Sequence, residues 1–148
     1  MKKILTSLAA LLLVMGSALA QRGLNSNPIF RGLVVPDEKM VITEARGGSM
    51  ATYKLSYYRS VSFLADAALA TKVSALVEAD AAAYKSVETE KGGAFLTYAM
   101  IQTKSKNKDN RYLCYQARSV AEGLWKVTLL YLEGSATIED LQSMFEKQ

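Results

Sequence analysis

The sequence contains no histidine, one cysteine and two prolines in 148 residues. Histidine is the usual general base near neutral pH and the commonest metal ligand. Without it, a Ser-His-Asp or Cys-His catalytic site is excluded. Cys114 and scattered carboxylates do not supply the ligand set of an ordinary zinc centre, so no metal and no other cofactor is expected. A single cysteine forms no internal disulfide. There is no phosphate-cradling glycine loop and no G-x-S-x-G elbow, and the pairs Gly47-Gly48 and Gly92-Gly93 read as turns. The acids Glu78, Asp80, Glu88, Glu90, Glu133, Glu139 and Asp140 fall on helix surfaces and element ends. None is predicted to face another across a cleft, as glycoside hydrolysis needs. No catalytic residue is assigned.

What is present begins with an export signal. Residues 1–20, "MKKILTSLAALLLVMGSALA", carry Lys2 and Lys3, an apolar run from Ile4 to Met15, and small residues at Ala18 and Ala20. That is the order a signal peptidase reads. The run is shorter than the ~20 apolar residues of a membrane span. Gln21 stands where a lipoprotein would place its acylated cysteine. Cleavage after Ala20 would leave a protein of 128 residues with no membrane anchor, periplasmic or secreted. Removing Lys2 and Lys3 takes the 18 basic residues to 16 against 14 acidic ones, a net charge of +2. Such a balance steers no particular partner by long-range attraction. Lys104, Lys106, Lys108 and Arg111 resemble a basic patch. They lie among the turn residues Asn107, Asp109 and Asn110, as charged hairpin tips do, and no nucleic acid is expected as a partner.

The remaining chain reads as an extended lead-in, 21–39, followed by one domain, 40–148. Asn27-Pro28 and Pro36-Asp37 bias the lead-in away from helix. Strands are predicted at 40–46, 55–63, 94–103, 111–119 and 124–133, with a loop or single helical turn at 49–53. Asp66 caps a helix through Tyr84, in which Leu69, Val73, Leu76 and Val77 follow helical spacing. Residues 84–90 read either as the end of that helix or as an edge strand. Thr137 with Asp140 forms a capping-box pattern. It opens a last helix whose Ile138, Leu141, Met144 and Phe145 point to the core. Helices placed without strict alternation indicate an α+β fold. We expect an antiparallel sheet of about four to five strands with two helices packed on one face.

Strand parity sorts the side chains. Tyr57, Val61, Phe63, Leu96, Tyr98, Met100, Leu113, Tyr115, Ala117, Val127, Leu129 and Tyr131 are expected on the helix-covered face. The opposite face receives Ser60, Ser62, Cys114, Gln116 and Thr128, with Tyr58, Tyr112, Arg118 and Lys126 as the candidate binding residues. Tyrosine and arginine are enriched at binding hot spots. Cys114 is expected to be chemically ordinary. A reactive thiol needs a histidine, a helix N-terminus or close cations, and its mid-strand place offers only Arg118 and Lys126, if register brings them near.

The stretches "YKLSYYRSVSF" and "KVTLLYLEGSATIEDLQSMF", with the Ala-Gln cleavage site, resemble small exported Bacteroidetes proteins of an uncharacterised domain family. These are packing motifs, so the resemblance implies export and fold and carries no catalytic residue. The expected activity is non-enzymatic: an exported domain that binds a protein or peptide at the cell envelope. The alternative is a small-molecule binder with a cavity between helix and sheet.

Overall fold

The computed structural model describes residues 23–103 and 109–146. The expected signal segment 1–20, Lys104, Lys106 and Lys108 lie outside the described residues, as does the side chain of Phe145. The described chain forms α1 (Asn27–Phe30), β1 (Val41–Arg46) and β2 (Leu55–Ala65). It continues with α2 (Ala67–Ala83), β3 (Lys85–Gly92) and β4 (Phe95–Thr103). β5 (Asn110–Ala121), β6 (Leu124–Gly134) and α3 (Ile138–Glu146) complete it. Short 3-10 segments occupy Asp37–Lys39 and Gly48–Tyr53. The strands make one sheet in the order β1-β2-β6-β5-β4-β3, with every neighbouring pair antiparallel. No helix among the described residues is long and apolar enough to cross a membrane.

The mixed helix-and-strand class and the antiparallel sheet stand as expected, but the sheet has six strands rather than four to five. The added strand is β3. Tyr84 ends α2 with extended backbone while its N–H still bonds Asp80 O at 2.9 Å. The chain then turns into a charged edge strand, which answers the question left open for 84–90. The α-helices number three among the described residues, not two. The extra one, α1, lies in the lead-in, where Pro28 occupies a first-turn position that needs no N–H donor.

One face of the sheet is built around α2. Asp66 caps this helix by accepting from Leu69 N at 2.9 Å. Ala70, Val73, Ser74, Val77 and Asp80 form its buried stripe. They pack with Val61, Phe63, Ile101, Leu113, Tyr115, Val127 and Leu129. The lead-in closes the rest of this face with Leu24, Ile29, Phe30 and Val35. Asp80 holds it there. Its carboxylate accepts from Asn25 N at 2.5 Å and from Ser26 N at 3.0 Å, and Tyr84 Oη donates to Gly23 O at 2.7 Å. Burial raises the Asp80 pKa despite these donors, which favour the anion.

The other helix packs elsewhere. Leu141 of α3 joins Met50, Leu55, Met100, Tyr112, Cys114, Leu132 and Ala136 in a second cluster on the opposite face. The expectation of both helices on one face is therefore corrected, and the link after β6 gives the reason. Gly134 crosses so close to β2 that a Cβ there would stand 2.3 Å from Lys54 O. Ala136 N then donates to Lys54 O at 3.0 Å, and Ala136 O accepts from Tyr112 Oη at 2.8 Å and Asn110 Nδ2 at 3.0 Å. This knot delivers the chain to the second face before α3 begins. The capping box forms there, with Thr137 N donating to Asp140 Oδ2 at 2.9 Å and Asp140 N to Thr137 Oγ1 at 3.2 Å.

The parity of β4 is also corrected. Ala99 and Ile101 stand opposite Tyr115 and Leu113, on the α2 face. Tyr98 and Met100 stand opposite Gln116 and Cys114, on the second face. β4 is largely buried on both sides, so its sequence lacks the alternation from which parity is read.

Candidate functional site

The second face is divided along its strands. Register places Ala45, Tyr58, Leu132, Tyr112 and Gln102 in one row across the sheet. The next row carries Thr43, Ser60, Leu130, Cys114, Met100 and Glu88. Beyond it the face turns polar, through Ser62, Thr128, Gln116, Tyr98 and Glu90. Arg118 and Lys126 pair across β5 and β6 at its open end.

α3 and the 3-10 segment Gly48–Tyr53 sit on the apolar end of this face. Between them runs an open groove of about 810 Å³. Ala45, Tyr58, Leu130 and Leu132 come to it from the sheet. Met50, Thr52, Tyr53, Lys54 and Leu55 form one bank, and Asp140, Ser143 and Met144 the other. Tyr53 is 55% exposed. Lys54 Nζ reaches Asp140 Oδ1 at 3.4 Å and ties the two banks. Lys54 holds a left-handed backbone, φ 59°, at the turn that brings the 3-10 segment over the sheet. Hydrogen bonds from the Thr137 backbone and hydroxyl, helped by Lys54, hold the Asp140 carboxyl below its ordinary pKa. Its charge therefore persists on the groove rim to lower pH than that of an ordinary aspartate.

The structure separates the four residues expected to form one site. Tyr58 is half-buried and lines the groove. Tyr112 is only 1% exposed beneath the α3 link, its hydroxyl spent on Ala136 O. Its placement on an open surface is corrected. Burial, then Glu139 and Asp140, raises its pKa. Arg118 and Lys126 are exposed at the far end of the face. Arg118 borders a smaller polar hollow of about 360 Å³ with Glu88, Glu90, Tyr98 and Gln116.

The groove's other bank was not anticipated. Met50 to Leu55 carry no periodic signal, and only their position between two strands places them. Leu130 and Leu132 did leave a trace. They are apolar residues on the parity that carries Lys126 and Thr128, and such positions call for a covering element. Cys114 is buried under this cluster, and burial pushes its thiol up to about 12. The nucleophilic thiolate is suppressed there. No cluster of three or more metal-ligating side chains occurs among the described residues.

A family model described as a family of unknown function, DUF6108, matches residues 13–145. No curated protein and no solved structure matches the chain.

Proposed function

The chain belongs to the DUF6108 family, and from that premise we propose that it is an exported, non-enzymatic domain that binds a protein or peptide at the cell envelope through the groove between α3 and the 3-10 segment. The resemblance to exported Bacteroidetes proteins and the N-terminal signal pattern support the location. The groove carries the binding reading. It sets an apolar floor of Tyr58, Leu130 and Leu132 beneath the adaptable side chains of Met50 and Met144, with one ion pair at its rim. Methionines re-pack around varied apolar partners, and an aromatic wall suits a buried anchor residue. An open groove admits a segment of chain, whose other residues remain in water.

Tyr58→Ser and Met144→Lys test the reading at two partly exposed positions. Peptides selected against the parent protein from a random display library should lose about tenfold or more in affinity for either variant, a loss of roughly 1.4 kcal/mol. Unchanged affinity in both variants would place the binding surface elsewhere. A second reading is favoured by the groove's size, which falls within the roughly 300–1,000 Å³ of small-molecule sites. In that case amphiphilic small molecules should raise the melting temperature of the parent by mass action, and Tyr58→Ser should abolish the rise.

A further inference from the structure

The two edges of the sheet are protected very differently. β3 carries Lys85, Glu88, Glu90 and Lys91 and breaks its register with β4 in two places. Charges and bulges of this kind keep an edge from pairing with another strand. β1 has neither device on the second face. It runs in unbroken register with β2, and its residues on that face are Val41, Thr43 and Ala45, all uncharged. Among the described residues its only strand partner is β2, which leaves its outer backbone groups to a further strand. Of the six large apolar side chains most exposed among the described residues, three gather at this edge. Val41 is 72% exposed, Ile42 36%, and Leu64 of the adjoining β2 59%.

We propose that this edge is an interface between two copies of the chain, with β1 pairing antiparallel to β1 about a two-fold axis at Thr43. The strand's own pattern selects that occupant. Centred on Thr43, the pairing sets Val41 of each copy opposite Ala45 of the other, on the second face. On the first face Ile42 stands opposite Glu44. No like charges meet, and on the second face every opposed pair is uncharged. Centring on Glu44 instead would oppose two carboxylates, and centring on Ala45 would shorten the ladder. The Glu44 carboxylate is already held from within its own copy, by Arg59 Nη1 at 2.5 Å and Arg46 Nε at 3.3 Å. The pairing thus joins two six-stranded sheets into one and covers the Val41 side chains that each copy leaves in water. It does not depend on the groove or its ligand.

Analytical ultracentrifugation of the purified protein should give twice the monomer mass. Val41→Lys should return the monomer mass with an unchanged circular dichroism spectrum, because this side chain stands in solvent in a single copy. Thr43→Cys should yield a disulfide-linked dimer on oxidation, two thiols giving two protons and two electrons to the added oxidant. Glu90→Cys on the opposite edge should not, and the buried Cys114 stays silent in both. A parent protein that sediments as a monomer, or a dimer left whole by Val41→Lys, overturns the proposal. So does a monomer whose β1 amides gain hydrogen-exchange protection only when an extended peptide is added, since the edge then belongs to a foreign strand.

Discussion

The two faces of the sheet are covered by different means. On the first, a helix of 17 residues and a clasped lead-in pack over a buried cluster drawn from β2, β4, β5 and β6. On the second, a helix of nine residues and a 3-10 segment cover one end only. The boundary follows the side chains. Cover stops where Leu130, Cys114 and Met100 give way to Thr128, Gln116 and Tyr98. A sheet face is closed where leaving it open would wet apolar surface, and it can stay open where the side chains are already satisfied by water. The groove lies on this incompletely closed face.

The sharpest way to break this comparison is to open the closed face. Phe30 is 1% exposed and meets the Tyr131 ring edge-on, centroids 6.5 Å apart. Phe30→Ala should cost roughly 3–5 kcal/mol and lower the melting temperature by many degrees in calorimetry. An unchanged melting temperature would show that the lead-in is not part of the core. A smaller loss is expected on the second face. Leu141→Ala should cost roughly 2–3 kcal/mol, the low end for a buried leucine, because a short terminal helix can settle into the space. If Leu141→Ala proves the costlier of the two, the ranking of the faces is wrong.

Alkali probes both faces at once. Burial raises the Cys114 thiol on the second face from 9.0 to about 12. Burial, aided by Glu78, raises the Tyr115 phenol on the first from 10.0 to about 12. Both groups are neutral when protonated, so the native state resists losing the proton while the unfolded chain gives it up. Their contribution to stability is whole below pH 9 and falls as pH rises from about 9 towards 12. Urea midpoints should drop across that window, and Cys114→Ala should flatten its lower part. A native thiol that reacts with a disulfide reagent at pH 8 as fast as the unfolded chain would refute the burial.

The smallest effect belongs to the open end. Arg118→Ala with Lys126→Ala should change stability by no more than about 0.5 kcal/mol, as exposed positions do. The same double change separates the polar end from the groove. Peptides that lose affinity for Tyr58→Ser should bind it as they bind the parent. Loss of binding in the double variant alone would move the site to the hollow beside Arg118.

Much of the fold was legible locally. The Asp66 and Thr137 caps were readable because capping is a contact between residues three apart. The alternation of β2 was readable because one of its faces stays partly in water. β4 was not, since a strand buried on both sides carries no polar phase. β3 was obscured because its charged residues are those of an unpaired turn as much as of an edge strand. Of the candidate site, Tyr58 was found and Tyr112 misplaced, although they share a row. Parity assigned both to the correct face but said nothing of what covers each.

By itself the sequence determined where the two capped helices begin, that histidine-dependent chemistry is excluded, and which parity of β2, β5 and β6 is the more apolar. These depend on residue chemistry and on contacts within a few positions of the chain. Only the tertiary structure decided that α3 crosses to the face opposite α2, that the lead-in is clasped by Asp80, and that a groove opens over Tyr58. Each of those rests on contacts far apart in sequence, Asn25 to Asp80 or Lys54 to Asp140. The Gly134 crossing shows the reason most plainly. Its missing side chain matters only because Lys54, distant along the chain, comes within 2.3 Å of where it would be.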